Sequence, residues 1–290
     1  MDKILEVKDL NKEFKNSGFR LKDVSFSLPK GAIMGFVGEN GAGKSTTIGC
    51  ILNTLIKDSG IVKIFGRDMT DESTDIRDDI GVVYDTNVFS DYLTPSKISS
   101  VMQHIFSKWD NALFKEYLTK FKLPEKQRIK EFSRGMTMKL GVAVALSHHP
   151  KLLILDEATS GLDPIVREDI LDIFLDFVQD EDNSIFLSSH ITSDLEKIAD
   201  YITFIHDGNI IFSEAKDSLL YNYGVMRCKS AQFAQIDKTD YIDYRKHDYQ
   251  IDVLISDRQA IAKKYRDVVI DNVSIEEIML ILAKGEDNCE

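Results

Sequence analysis

Gly38-Glu39-Asn40-Gly41-Ala42-Gly43-Lys44-Ser45, followed by Thr46 and Thr47, decides the fold of this chain. The stretch has the spacing G-x-x-x-x-G-K-[ST] of a phosphate-binding loop, a pattern that carries meaning only between a strand and a helix. Both flanks are present. Residues 32–37 form a short apolar run that reads as a buried strand. Residues 46–57 have helical spacing, with Ile48, Ile51, Leu52 and Leu55 on one side. A strand, a glycine-rich turn and a helix N-terminus make an anion cradle, because backbone N–H groups point inward and the helix dipole favours phosphate. Lys44 is then placed to reach the β- and γ-phosphates, and the Ser45 hydroxyl to hold Mg²⁺. The pattern implies nucleotide binding.

Before the loop, Ile4-Leu5-Glu6-Val7, Leu21 and residues 24–28 alternate in apolar pieces, which fits half-buried antiparallel strands. After it, residues 60–66 read as a glycine-bounded strand, and residues 80–84 as an apolar strand ending at Asp85. From about 87 to 150 the pattern turns helical, over 96–106, 113–120 and 137–147, punctuated by Pro95 and Pro124. Residues 151–155 are a continuous apolar run ending in Asp156-Glu157, the signature of a central parallel strand. A helix is expected over 165–178 and a strand over 184–189, ending at His190. Residues 201–205 and 210–212 flank Asp207-Gly208-Asn209, a hairpin turn. Past 215 the pattern weakens to strands at 251–255 and 268–270 and a capping box, Ser274 to Glu277, that opens a last helix.

The bulk numbers narrow the class. The chain has 290 residues, 43% hydrophobic and 29% charged, as in soluble globular proteins. It has no apolar run near the roughly 18 residues of a membrane span and no secretory signal core, so a cytosolic chain is expected. Cys50, Cys228 and Cys289 are few and far apart, which suggests reduced thiols. A net charge of −12 argues against a broad nucleic-acid footprint.

The phosphate loop needs an acidic strand to complete its metal site. Asp156 is placed to bind Mg²⁺, and Glu157 to orient or deprotonate an attacking water; a strand merely ending in solvated acids would look the same. Ser133-Arg134-Gly135-Met136, preceded by Phe132, opens a helix near Thr137. It is either an N-cap serine or a second anion site.

Taken in order, the loop at 38–45, Phe132 to Met136, Leu152 to Glu157, Ser160-Gly161-Leu162-Asp163 and His190 resemble the ATP-binding subunit of ABC transporters over roughly residues 3–215. The resemblance implies an α/β fold: a P-loop NTPase core with an antiparallel β subdomain and a helical subdomain at about 87–150. Residues 1–215 would then be the cassette and 216–290 a small C-terminal α+β extension. It also implies roles. The loop Gly38, Glu39, Asn40, Gly41, Ala42, Gly43, Lys44, Ser45 and Thr46 would bind ATP. Glu157 would be the catalytic base and His190 the switch contacting the γ-phosphate, with Ser45 and Asp156 on Mg²⁺. Ser133 and Gly135 would bind the γ-phosphate of the opposite protomer, with Asp163 crossing the interface. Phe14 matches the aromatic that stacks on adenine, with Phe19 its competitor.

Two departures from the family pattern stand out. Its usual Leu-Ser-Gly-Gly-Gln reads Phe-Ser-Arg-Gly-Met here, and Asp85 replaces the usual glutamine, which makes it a candidate Mg²⁺ ligand. The implied partners are a second cassette, head to tail, and an integral-membrane permease met near Phe89, Tyr92 and Leu93 on the inner face of the membrane. Export is the expected direction. A soluble ATPase switch acting on nucleic acid or ribosomes is the alternative, disfavoured by the acidic balance and the single cassette.

Overall fold

The computed structural model describes residues 2–16, 18–70 and 72–286. It divides into two compact units, Met1–Ser213 and Glu214–Glu290.

In the first unit the alternating N-terminal residues pair as β1 (Lys3–Glu13) and β2 (Arg20–Pro29), antiparallel, with Val7 opposite Phe26 and Leu10 opposite Val24. All five residues of β3 (Ile33–Val37) are buried, as befits a strand covered on both faces. It leads through the glycine-rich loop into α1 (Lys44–Ile51). This helix is shorter than the apolar spacing through Leu55 predicts. Asn53 sits at φ 55, and the Gly49 carbonyl accepts from both Thr54 and Leu55 N–H at 3.0 Å, so the chain leaves the helix in a turn. Next, β4 (Ser59–Ile64) and the short β5 (Arg67–Asp68) complete an antiparallel sheet of order β2-β1-β4-β5.

A one-turn helix, α2 (Thr74–Arg77), precedes β6 (Ile80–Tyr84). Three helices follow: α3 (Pro95–Ile105), α4 (Asn111–Lys120) and α5 (Arg134–Leu146). Each begins on a side chain that accepts from first-turn N–H groups, respectively Thr94, Asp110 and Ser133. Because Ser133 is the cap, α5 starts at Arg134, three residues before the position expected from the apolar pattern.

The remaining elements alternate: β7 (Leu152–Asp156), α6 (Pro164–Phe177), β8 (Ser184–Ser189), α7 (Thr192–Ile198), β9 (Tyr201–His206) and β10 (Asn209–Ala215). With β3 and β6 the strands form a six-stranded sheet, β10-β9-β3-β8-β7-β6. The pairs from β9 through β3, β8 and β7 to β6 are parallel, so these five strands end along one rim. Open α/β sheets bind ligands beyond such a rim. Register sets who meets there: Tyr84 lies opposite Asp156, and Ser188 lies between Asp156 and Phe36.

The two sheets share a core in which Phe26, Phe36 and Phe186 meet with ring centroids 5.2–5.5 Å apart, Phe26 and Phe186 stacked. Phe186 is fully buried. Phe186→Ala is therefore expected to lower unfolding stability by about 3–5 kcal/mol, read as a drop in the denaturant midpoint.

The second unit begins with α8 (Lys216–Asn222) and β11 (Gly224–Cys228), followed by α9 (Ser230–Phe233), β12 (Asp243–Lys246) and β13 (Ile251–Ile255). It closes with α10 (Arg258–Lys264), β14 (Val269–Asp271) and α11 (Ile275–Lys284), opened by the Ser274–Glu277 capping box. Its sheet is antiparallel, of order β12-β13-β11-β14. On β11, Arg227 gathers Asp271 at 2.7 Å, Glu277 at 3.0 Å and Asp252 at 3.5 Å. Cys50 and Cys228 are free and buried, and burial pushes both thiols up to about 11, which leaves them unreactive. Cys289 lies outside the described residues.

Candidate active site

The phosphate loop leaves β3 at a point where only glycine fits. A Cβ on Gly38 would lie 2.5 Å from the Ile205 carbonyl oxygen of β9. Gly43 sits at φ 116, and a Cβ there would lie 2.7 Å from Leu21 Cδ2 and 3.0 Å from Phe19 Cζ. The loop is thus pressed between β2 and β9, and the Ala42 N–H donates to the Glu39 carbonyl within it at 3.1 Å. That lysine is only 6% exposed. Its Nζ donates to the carbonyls of Gly38 at 2.8 Å and Glu39 at 3.3 Å. Thr47 Oγ1 donates to Gly43 O at 2.9 Å and fixes the first turn of α1. Ala42 is buried beneath the loop, whereas Glu39, Asn40, Gly41 and Ser45 are exposed and Thr46 half-buried. Above them opens a cavity of about 520 Å³, lined by Phe14, Phe19, Asn40, Gly41, residues 43–46 and Glu157.

The acidic pair comes from the end of β7. Asp156 Oδ1 accepts from Ser188 Oγ at 2.6 Å. Glu157 has a left-handed backbone, φ 54, and its N–H donates to the Ser188 carbonyl at 3.1 Å. Its carboxylate, 15% exposed, is held at both ends. Oε2 lies 2.6 Å from His190 Nδ1, and Oε1 lies 3.1 Å from Lys44 Nζ, ion-paired but out of line for a hydrogen bond. Three separate motifs, around Lys44, Glu157 and His190, therefore meet in one continuous chain of polar contacts. The neighbouring Tyr84 phenol is pushed up by burial, and secondarily by the Asp156 charge.

The donors on offer for a cation are hard oxygens, the Ser45 hydroxyl and the Asp156 carboxylate, which suit Mg²⁺. Among the described residues no cluster of three or more His, Cys, Asp or Glu could hold an ion unaided. A cation here would draw its other ligands from phosphate and water.

Other residues singled out by sequence fall elsewhere. Asp85 lines a different cavity, of about 780 Å³, and its carboxylate accepts from the Arg134 guanidinium rather than facing the phosphate loop. Ser133 Oγ accepts from Met136 N–H at 3.2 Å as the cap of α5, which leaves its O–H to donate. A Cβ on Gly135 would stand in ordinary van der Waals contact with Val166, 3.5 Å from Cγ1, and the residue is half-buried. Neither residue lines the cavity over the phosphate loop of its own chain. Asp163 is exposed and caps α6, its Oδ1 accepting from Val166 N–H at 3.1 Å. Phe14 and Phe19 both border the cavity, their ring centroids 6.4 Å apart. Phe19 packs against the core and over Gly43, so Phe14 is the ring at the mouth. Sequence reasoning missed Ser188, which holds both members of the acidic pair; its only signal is the serine pair, Ser188-Ser189, that closes an apolar strand.

Residues 21–160 match the ABC transporter family. The chain is 33% identical to the bacitracin transport ATP-binding protein BcrA of Bacillus licheniformis, over 73% of this chain and 69% of the relative. It is 34% identical to the lantibiotic transport ATP-binding protein SrtF of Streptococcus pyogenes, over 74% of this chain and 92% of the relative. This is an ABC transporter ATP-binding protein. Its fold agrees with a solved ATP-binding subunit of an ABC transporter, with a TM-score of 0.66 and 27% identity over 74% of this chain and 91% of that one. The ABC cassette is an ATPase, the energy-supplying subunit of a transporter. Among its described residues no helix is long and apolar enough to cross a membrane.

Proposed function

We propose that the chain hydrolyses MgATP as one of two cassettes paired head to tail, driving export through a separate integral-membrane subunit from the inner face of the membrane. The observation that carries this reading is the one-sidedness of the site. Its phosphate cavity lacks Ser133 and Gly135, while the Ser133 O–H is exposed and has a proton to give. A sister chain presenting that face would supply the missing donors and close the γ-phosphate shell, and Asp163 would lie along the join.

Within the shell, the loop amides and Lys44 hold the β- and γ-phosphates and Phe14 packs on the adenine. Ser45 and Asp156 would hold Mg²⁺, whose charge would offset that of the bound triphosphate. Glu157 takes a proton from water as the water oxygen bonds to the γ-phosphorus and the bond to the β-phosphate oxygen breaks, releasing ADP and phosphate. His190, bonded to Glu157 Oε2, aims that carboxylate. The cavity of about 780 Å³, bordered by Val88, Phe89, Met102 and Phe132, is the candidate dock for the membrane subunit. Val88 and Tyr92 are exposed beside it, whereas Leu93 is half-buried. The names of two relatives, which give bacitracin transport and lantibiotic transport, support a cargo of that kind.

The test is to mix two inactive variants, Lys44→Ala and Ser133→Arg. In a head-to-tail pair one of the two sites regains both wild-type halves, so turnover should rise above the sum of the separate variants. No rise on mixing, together with no ATP-dependent pairing of the wild-type chain, would remove the shared site.

A further inference from the structure

The two departures from the family's motif pattern are bonded to each other. The Arg134 guanidinium donates to the Asp85 carboxylate, joining segments 49 residues apart. Its flat side lies over Gly161, where a Cβ would fall 2.6 Å from Nη1 and 2.8 Å from Cζ. Gly161 sits at φ 65, so glycine there serves both the backbone and the passage of the guanidinium. From the first turn of α5, Arg134 thereby touches two loops at once: the one leaving β6 and the one between β7 and α6.

Helix stability does not account for an arginine at this position. A cation in the first turn opposes the helix dipole, and α5 has no acidic residue there to offset it. Nor does the ion pair add much stability, since its side chains are 51% and 40% exposed and screened by solvent. What the pair supplies is geometry. Asp85 follows Tyr84, whose register partner is Asp156, and it borders the apolar groove together with Val88 and Phe89. Arg134 stands between Ser133 and Gly135.

We infer that Arg134 is a positioning residue for ATP hydrolysis, a clasp through which the loop after β6 sets the placement of Ser133 and Gly135. This rests on the shared-site reading above. A displacement of the groove loop, such as a docked partner would impose, is passed by the clasp to the face offered to the sister chain's γ-phosphate. Gly161 lets the same guanidinium register movement of the loop leading to Asp163.

The experiment is a double-mutant cycle in the full chain with MgATP, using Arg134→Gln, Asp85→Asn and the pair together. Each single change should lower kcat about 5-fold or more, with KM for ATP unchanged, and the double variant should be no slower than either single, the mark of coupled residues. Arg134→Lys, which keeps the charge but loses the fork, should fall between wild type and Arg134→Gln. Independently of turnover, amide exchange over residues 85–93 and 133–136 should quicken together in both single variants. Losses that multiply in the double variant would overturn the clasp. So would unchanged exchange, or a raised Mg²⁺ requirement in Asp85→Asn with Arg134→Gln silent, which would make Asp85 a metal ligand instead. A wild-type chain that fails to hydrolyse ATP would refute the shared-site reading, while the exchange measurement would still decide the clasp.

Discussion

Glu157→Gln should reduce ATP turnover by about 10²–10⁴-fold, the usual worth of a positioned general base, while ATP still binds. Among the described residues lining the cavity Glu157 is the one carboxylate, and its Oε2 lies 2.6 Å from His190 Nδ1. Glutamine keeps the shape and can still hydrogen-bond His190, but it accepts no proton. It also cancels the ion pair with Lys44, whose Nζ lies 3.1 Å from Oε1. That ammonium then meets the γ-phosphate without an internal competitor, so affinity for ATP should hold or rise. With binding intact and cleavage blocked, the chain should accumulate as an ATP-bound pair, seen as a doubling of mass by light scattering when ATP is added. Turnover near the wild-type rate would take Glu157 out of the base role.

Lys44→Ala should weaken ATP binding by about 10²-fold, in line with truncating one partner of a buried charge pair. The side chain is 6% exposed and bonded to two loop carbonyls, so its removal strips the loop of its central cation and also leaves Glu157 without a counter-charge. Arginine should not substitute, because its wide planar fork needs room that a point charge between two carbonyls does not. Titration with a fluorescent ATP analogue reads the change directly. Affinity within a fewfold of wild type would mean that the loop amides alone hold the phosphates. The two variants should differ in kind: Lys44→Ala loses binding and pairing together, whereas Glu157→Gln gains pairing.

Where the chemistry is set by local spacing, the sequence was readable. The phosphate loop, the apolar strand ending in Asp156-Glu157 and the Ser274 capping box each bring their context with them, within about one element's length. Element ends were less so. The extent of α1 depends on Asn53 adopting a left-handed backbone and on the Gly49 carbonyl serving two N–H groups, neither of which apolar spacing encodes. The strand β12, Asp-Tyr-Arg-Lys, carries no apolar alternation to read, and β11 is a five-residue run interrupted by Arg227. Partnerships across the chain were the hardest. Asp85 alone reads as a metal-binding carboxylate, and only the fold brings Arg134 to it. Phe14 and Phe19 were indistinguishable by sequence because both end at the cavity; what separates them is that Phe19 is also spent on covering Gly43.

The backbone of Glu157, at φ 54, carries a consequence for how this position tolerates change. Left-handed geometry is comfortable for glycine, asparagine or aspartate and strained for a longer side chain. A library selected only for thermal resistance should therefore drift toward those shorter residues at 157, each of which falls short of His190 and Lys44. If Glu157 is the base proposed above, durability and turnover are expected to pull in opposite directions at this one residue.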